Sequence, residues 1–416
     1  MEQVYAVIDM KSFYASCECA ARGLDIFTTP LVVADKERSE NSIVMSATPY
    51  LKEKYHCSNV CRIKDLPNIP EMIFARPRME YYLRMSAKIV SLFLDYVAEE
   101  DLHVYSVDES FLYLTPYLHL YGGSPEKMVS AIQAEIKARF RMIATAGLGP
   151  NMFLAKTCLD NEGKHKPPYL AHWKQKQAKE KLWAIHPITK VWGISGGISA
   201  HLAKVGIHSL RDLARSDPAF LKKEFGVLGT QLYEMANGID HSDIHEKYVP
   251  KDHNLSIGQT LMRDYDLKGA RLLLREMNDD LCFRLRTAGR KAGCVSVYCG
   301  YSSYAGGGGF SREASLDIAT DDNAWLYEAI VTLFDRHASN LPIRSLGISF
   351  SRLSPYGAQQ YSLFESETEL EERHNLYLAM DAVHAMYGPN SLLRASSLTE
   401  ESTALLRHTQ IGGHNA

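Results

Sequence analysis

The chain has no long apolar run: nothing in its 416 residues approaches the roughly 20 consecutive apolar residues of a bilayer-spanning helix. Its first apolar stretch, Val4 to Ile8, is too short for the core of a secretion signal and ends in Asp9. Neither membrane insertion nor export is expected, and the sequence reads as cytoplasmic. An excess of charge of one sign is also missing. With 46 Lys and Arg against 49 Asp and Glu, a net of -3, the whole-chain field attracts no polyanion, and any nucleic-acid binding needs a local basic face. Cysteine is sparse and scattered. No two of the eight thiols have C-x2-C spacing, and Cys17-x-Cys19 and Cys57-x3-Cys61 have no paired histidines near them in sequence, which favours free thiols over disulfides or zinc sites. What remains is ordinary globular composition, 46% hydrophobic, in a length that suits about two to four domains.

Val4 to Ile8 has strand length and composition and brings Asp9 to its carboxyl end. Ser12 can cap a short helix carrying Phe13, Tyr14 and Cys17, which Gly23 stops. Between Ile26 and Ile73 the pattern weakens into strands at 30–34 and 42–46 and a helix from Pro49, as in a small inserted subdomain. Helical spacing returns from Arg78 to about Val97, followed by two runs rich in branched and aromatic residues, Leu102–Tyr105 and Phe111–Leu114. A helix capped by Ser124, with Pro125 at its first position, runs to about Phe140, and a strand follows at 142–146. With the insertion removed, the order is strand-helix-strand-strand-helix-strand, the split βαβ arrangement of the ferredoxin-like fold.

After Pro167-Pro168 the composition turns helical to about Gly238. Within it, residues 191–207 read as helix, tight glycine turn, helix, and backbone N–H groups at Gly193, Ser195 and Gly196 are candidates to hold a DNA phosphate; a plain interhelical turn is the alternative. The polar stretch 241–254 reads as a linker. Strands at about 255–262, 292–301, 312–318 and 344–352 then alternate with helices at about 268–289 and 322–338, a second α+β domain, with a mobile glycine loop at 306–309. Arg284, Arg286, Arg290 and Lys291 form a basic cluster, and Arg344 and Arg352 flank the last strand. All could be ordinary solvated charges. From Ser354 onward the chain reads as a tail with an acidic, helix-prone run at 365–372.

The chemistry concentrates at Asp108-Glu109, between the two short runs. An acidic pair at a bend is most often a solvated hairpin tip. The ferredoxin-like order, however, sets the first strand beside the strand leading into Asp108, so Asp9 can approach. Three carboxylates from two places suit a pair of hard divalent cations, Mg2+ or Mn2+, of the kind that drive in-line phosphoryl displacement.

The runs Asp9-Met10-Lys11-Ser12-Phe13-Tyr14-Ala15, Ser106-Val107-Asp108-Glu109-Ser110-Phe111 and Gly147-Leu148-Gly149-Pro150-Asn151-Met152-Phe153-Leu154-Ala155-Lys156 resemble, in order and spacing, three signature motifs of the Y-family translesion DNA polymerases. The end of the chain, Arg394-Ala395-Ser396-Ser397-Leu398 and Ile411-Gly412-Gly413-His414, is similar to UmuC-type UV-damage-repair proteins of Gram-positive bacteria. The resemblance implies an α+β multidomain fold: a ferredoxin-like palm (1–25 and 74–166) with a fingers insertion (26–73), a helical thumb with a helix-hairpin-helix (167–240), a linker (241–254), an α+β little-finger domain (255–353) and a tail (354–416). It implies translesion DNA synthesis in damage tolerance and SOS-type repair, with primer-template DNA and dNTPs as substrates, and two Mg2+ ions, replaceable by Mn2+, on Asp9, Asp108, Glu109 and the Met10 carbonyl. It further implies dNTP contacts from Phe13, Tyr14, Tyr50 and Lys166, with Tyr14 as the steric gate that excludes a 2′-hydroxyl. DNA contacts are expected at Gly193, Ser195, Gly196, Arg344 and Arg352.

This sequence departs from the family pattern at two positions and carries two or three extra residues before Lys166, which shift that lysine's register. Glu53 stands where an arginine often follows the phosphate-binding tyrosine, leaving Lys52 or Lys54 as substitutes, and Met152 stands where some members carry a lysine. In the tail, Gln360-Tyr361-Ser362-Leu363-Phe364 resembles the peptide by which bacterial polymerases dock on the sliding clamp, with Gln360, Leu363 and Phe364 as anchors. A monomer is expected. Two rival classes keep the same acids: a catalytically silent DNA- and clamp-binding accessory protein, and a two-metal phosphodiesterase.

Overall fold

The computed structural model describes residues 2–416 except Asn59, Val60, Tyr248, Pro250, Lys251, Asp252 and 357–365. The chain separates into two compact units, Met1–Lys247 and Tyr248–Asn415.

In the first unit, β1 (Tyr5–Met10) is buried along nearly its whole length, as a continuous apolar run requires. It leads into α1 (Phe13–Arg22), which ends at left-handed Gly23. The insertion follows: β2 (Leu31–Val33), β3 (Ser46–Ala47), α2 (Pro49–Tyr55) and β4 (Ile73–Ala75) build a separate sheet, ordered β3-β2-β4, over Val32, Ala34, Val44, Ala47 and Leu51. The chain then returns through α3 (Met79–Phe93), β5 (Leu102–Val104), β6 (Glu109–Tyr113), α4 (Pro125–Phe140), β7 (Ala144–Gly149) and α5 (Met152–Cys158). Their sheet runs β5-β6-β1-β7 with antiparallel neighbours, the ferredoxin-like arrangement expected from the element order. However, β1 lies beside β6, the strand that follows Asp108, and not beside β5, which leads into it: in this order the middle hairpin turns its second strand inward. A fifth strand, β8 (Leu170–His172), extends it in parallel with β7. The sheet therefore continues past residue 166, where the sequence reading ends the palm. Three residues after two prolines carry no periodicity of their own, and the strand exists through its partner.

Register decides which side chains meet. Tyr5 lies opposite Tyr113, Val7 opposite Phe111 and Asp9 opposite Glu109, so all six share one face. Helix α5 covers that face: Tyr5, Val7, Phe111, Ala155 and Leu159 form one cluster. The helix sits so close that a Cβ on Gly147 would lie 2.4 Å from both the Ala155 carbonyl oxygen and the Leu159 nitrogen. Only glycine allows this approach. The acids stand at the end of the apolar stripe that α5 covers.

Helices α6 (Gln175–Trp183), α7 (Gly196–Lys204), α8 (Leu210–Arg215), α9 (Pro218–Phe225) and α10 (Val227–Ala236) pack around Leu182, Leu202, Leu210, Leu221 and Leu232, and Phe153 and Leu154 of α5 join the same core. The helix expected before the glycine turn is only a 3-10 turn, Ile188–Lys190. Gly193 supplies the positive φ of 90°, and the Ser195 hydroxyl caps α7 by accepting from the Ile198 N–H.

The expected linker is half folded. Ile244 is buried in the α5 cluster, and the His245 imidazole sits 2.9 Å from Asp101 and 2.7 Å from Asp243, edge-on to the Tyr113 ring. The hydrogen bonds to Asp101 and Asp243 raise the His245 pKa above its ordinary value of 6.5. A group whose folded pKa is raised contributes fully below its unfolded pKa, and that contribution is lost as pH rises through the folded value. Amide exchange over residues 241–247, corrected for intrinsic rates, is expected to speed up between about pH 6 and about pH 9, and to be fast at both in His245→Ala. Equal protection at both pH values in the native protein would refute this.

In the second unit, β9 (Leu255–Tyr265), α11 (Leu267–Thr287), β10 (Arg290–Tyr301), β11 (Gly309–Thr320), α12 (Asn323–His337) and β12 (Ile343–Ser351) form a sheet ordered β11-β10-β12-β9, with a core from both helices that includes Met277, Leu281, Val295, Ile330 and Phe334. Gly306–Gly309, all at positive φ, turn β10 into β11. The segment read as a tail is folded onto this unit. After β13 (Ser354–Pro355), α13 (Glu367–Tyr387) and α14 (Ala404–Arg407) bring in Asp381, which takes Arg286 in a two-pronged pair at 2.6 and 3.0 Å. Arg394 reaches Asp279, while Arg407 and His408 reach Asp280. Arg286 is thus a buried structural cation and no part of a solvated cluster. Gln360, Leu363 and Phe364 lie outside the described residues.

Candidate active site

The backbone brings the three acids together. Asp9 and Glu109 are direct cross-strand partners, and the Met10 N–H donates to the Asp108 carbonyl at 2.9 Å. The bend is closed by the Tyr105 and Ser106 N–H groups, both donating to the Glu109 carbonyl. The side chains diverge from there. The Asp108 carboxylate accepts from the Ser106 hydroxyl at 2.8 Å. Asp9 pairs with Lys164 at 3.0 Å. Lys156 of α5 straddles the Glu109 carboxylate, 2.7 Å from Oε1 and donating to Oε2 at 2.8 Å.

These ion pairs have a common origin in the helix. Lys156, Asp160 and Lys164 recur at four-residue spacing and are linked at 3.1 and 2.9 Å, a row along one helical face. Between them the helix widens into a π-turn at Leu159–Gly163. That turn delivers Lys164 to Asp9. Lys166, the lysine expected from the resemblance, is exposed, with Lys164 and His165 rather than Lys166 lining the cavity.

A cavity of about 460 Å³ opens over Asp9 and Asp108, with Glu109 buried behind them and outside its lining. Asp9, Asp108 and Met10 lie on one side, with Lys11, Lys52, Lys164 and Tyr14 also facing it. Burial pushes the Asp9 pKa up, against the pull of Lys164, and Asp108 pushes in the same direction. Burial also raises Glu109, against Lys156. Burial depresses Lys11 and Lys52, whereas on Lys164 it is outweighed by Asp9 and Asp160, and that pKa rises. The site therefore couples buried acids to buried bases, a pattern common where charge is handled chemically. A larger cavity of about 830 Å³, lined by Val4, Thr115 and Trp173 among others, contains none of these groups.

Ser12 adopts a left-handed backbone, φ 50°, and turns the chain from β1 into α1; its hydroxyl accepts from Lys52 at 2.9 Å. The turn sets Tyr14 at the cavity wall, where its ring packs 4.9 Å from Tyr82. Phe13 is buried. Beneath them Glu18, fully buried, accepts from Tyr82 Oη at 2.8 Å and from Arg78 through two bonds of 2.9 Å, and also pairs with Arg22. Tyr50 does not line the cavity and instead accepts from Lys54 at 2.8 Å. Of the two substitutes for the missing arginine, Lys52 faces the cavity and Lys54 does not.

As they stand, no three His, Cys, Asp or Glu side chains among the described residues converge closely enough to hold a metal ion; Asp9 and Glu109 are held by lysine ammonium groups and Asp108 by the Ser106 hydroxyl. Their chemistry nonetheless fits a hard divalent cation: three carboxylates on adjacent backbone positions, all hard oxygen donors. Lys11 and Lys156 stand within the quoted runs and Lys164 two residues before Lys166, but the sequence reading gives none of the three a role, because a lysine in a helix or turn reads as a solvated charge until packing shows what it faces. Among the expected DNA contacts, Gly193, Ser195 and Gly196 form the turn before α7, Arg344 pairs with Asp264 at 2.7 Å, and Arg352 donates to Ser315.

The impB/mucB/samB family profile matches residues 8–160 and its C-terminal domain matches residues 253–363. The putative UV-damage repair protein UvrX of Bacillus subtilis (strain 168) is 34% identical over 410 residues, 98% of this chain and 97% of that protein. A protein named DNA polymerase IV 2 from the same organism is 31% identical over 416 residues, 99% of each chain. A solved chimera of the Y-family DNA polymerases Dbh and Dpo4 superposes with a TM-score of 0.67 at 20% identity, covering 85% of this chain and all of the chimera. The chain belongs to the impB/mucB/samB family, and its fold is that of the Y-family polymerases.

Proposed function

We propose that this chain, a DNA-directed DNA polymerase of the Y-family, extends a primer across damaged template bases by joining a dNTP to the 3′-hydroxyl at the Asp9, Asp108 and Glu109 cluster. One observation carries the reading: Asp9, the cross-strand partner of Glu109, and Asp108, bonded to Met10 through its carbonyl, border a cavity that also bears three lysines and the Tyr14 ring. Divalent cations, when bound, supply activation of the attacking oxygen and stabilisation of the leaving group. Asp9, Asp108, Glu109 and the Met10 carbonyl would hold them. Lys11, Lys52 and Lys164 neutralise the triphosphate, and the backbone N–H groups at the start of α1 add to that field. For Asp9 and Glu109 to take a cation, Lys164 and Lys156 release them; Asp160, already bonded to both lysines, keeps the freed ammonium groups paired.

Tyr14 lies against Tyr82 and cannot withdraw into the protein, which suits a ring that blocks a 2′-hydroxyl. Tyr14→Ala is expected to raise rNTP incorporation relative to dNTP on the order of tenfold or more, since rejection by a clash disappears with the clashing group. An unchanged ratio in single-nucleotide incorporation would remove the gate role. We propose the domain limits of the resemblance for the palm, fingers and thumb, with β8 added to the palm. Gly193, Ser195 and Gly196 are proposed to hold backbone phosphates, and the peptide from Gln360 to Phe364 to dock on a sliding clamp.

The lysine pairs on Asp9 and Glu109 favour one rival, an accessory protein that binds DNA without catalysis. Labelled primer-template incubated with Mg2+, with and without dNTPs and with EDTA, decides. Elongation that needs both dNTPs and metal supports the polymerase, unchanged primer supports the accessory protein, and shortening without dNTPs supports a phosphodiesterase.

A further inference from the structure

The bend that carries Asp108 is an edge structure. Strand β5 is three residues long and forms the margin of its sheet, with His103, Val104 and Tyr105 exposed. On the sheet side it is held only by β6. A short edge hairpin frays readily, yet this one must hold a carboxylate in place. An external brace is present. The Tyr105 ring lies edge-on to Phe111, 5.6 Å between centroids at 83°, and edge-on to Trp192, 5.9 Å at 83°. The Trp192 Nε1–H donates to the Tyr105 hydroxyl at 3.3 Å, and the indole also meets Phe111 at 6.3 Å.

Trp192 is not a free side chain that happens to lie there. It stands between Val191 and Ile194, both buried in the helical core, and immediately before Gly193, the positive-φ residue that opens the turn into α7. Any shift of that turn moves the indole. Tyr105, for its part, is tied to the acidic bend by its own N–H, which donates to the Glu109 carbonyl at 3.0 Å. One aromatic contact thus joins the turn that would grip the duplex backbone to the bend that bears two of the three acids.

We propose that Tyr105 and Trp192 are positioning residues, a clasp through which the thumb turn, once seated on duplex DNA, fixes the acidic bend for nucleotidyl transfer. Neither touches the reacting atoms. Phe111 completes the brace from inside the sheet, where it is almost fully buried. This rests on the polymerase reading and adds a coupling between DNA grip and acid geometry that the three acids alone do not require.

The test is a double-mutant cycle on the full chain: wild type, Tyr105→Leu, Trp192→Leu and the double variant, with Tyr105→Phe as the conservative control. Single-turnover dNTP incorporation and duplex affinity are measured for each. Each leucine variant is expected to slow incorporation by about three- to tenfold, the scale of one aromatic pair. The double variant should be no slower than the slower single one, Tyr105→Phe should recover most of the rate, and duplex affinity of Tyr105→Leu should stay within about twofold, the residue lying outside the phosphate-gripping turn. Losses that multiply in the double variant, or a Tyr105→Leu rate equal to wild type, overturn the clasp while leaving the polymerase reading intact. A wild-type protein that fails to extend the primer overturns both. If a leucine variant does not fold, Tyr105→Met and Trp192→Met carry the same cycle: both remove the edge-on ring contact while keeping apolar bulk, so multiplying rate losses in that pair also overturn the clasp.

Discussion

Asp108→Ala is expected to abolish primer extension, lowering the rate on the order of a thousandfold or more, because several kcal/mol of charge stabilisation leave with the carboxylate. The fold should survive. In the structure the Asp108 side chain accepts from the Ser106 hydroxyl, and the bond from the Met10 N–H goes to the main-chain carbonyl, which alanine retains. Melting behaviour and duplex affinity should therefore stay near those of the wild type, and extension at a comparable rate would sink the assignment of the site. Glu109→Ala is a poorer test. It removes the partner of a buried lysine, Lys156, and leaves an ammonium group with Asp160 alone, so lost activity could not be separated from a disturbed fold.

Gly147→Ala is expected to destabilise the first unit by about 3 kcal/mol or more, the upper end of overpacking costs. The added methyl would strike the Ala155 carbonyl and the Leu159 nitrogen, both main-chain atoms of a helix that cannot yield locally. If the helix moves instead, Lys156 moves with it, and activity should fall faster than stability. Gly258→Ala is the control: it meets only the Leu346 carbonyl, at 3.7 Å, and should change stability by less than about 1 kcal/mol. Urea unfolding of both variants measures the difference; a Gly147→Ala transition at the wild-type midpoint would contradict the close approach of helix and strand.

How much the sequence reveals follows from how local each signal is. The run before Asp9, the capped helix at Ser124 and the strands flanking Asp108 announce themselves within a few residues, and their order is enough for the ferredoxin-like sheet. The acids are legible for the same reason, since each ends or begins an apolar run. The cations opposite them are not. Lys156 meets Glu109 because α5 covers one face of the sheet, and Lys164 rather than Lys166 reaches Asp9 because a π-turn, which has no composition of its own, adds to the helix. Strand β8 and the docking of Ile244 likewise depend on partners far along the chain. The charged C-terminal segment reads as a solvated tail since nothing local shows that Arg394 and Arg407 have carboxylates waiting more than a hundred residues upstream.

That C-terminal segment changes what a deletion would mean. Glu276, Asp279 and Asp280 lie on successive turns of one face of α11, and the segment beyond residue 366 meets each of them: Ser402 and the Thr403 N–H at Glu276, Arg394 at Asp279, Arg407 and His408 at Asp280. A stop codon placed after Tyr356 to strip the proposed docking peptide would also uncover this row of acids, and Arg286 would lose Asp381. The truncated protein would then present a negative strip on the unit expected to follow DNA, and its loss of function could be misread as loss of a partner. Point substitutions within the peptide keep the two effects apart.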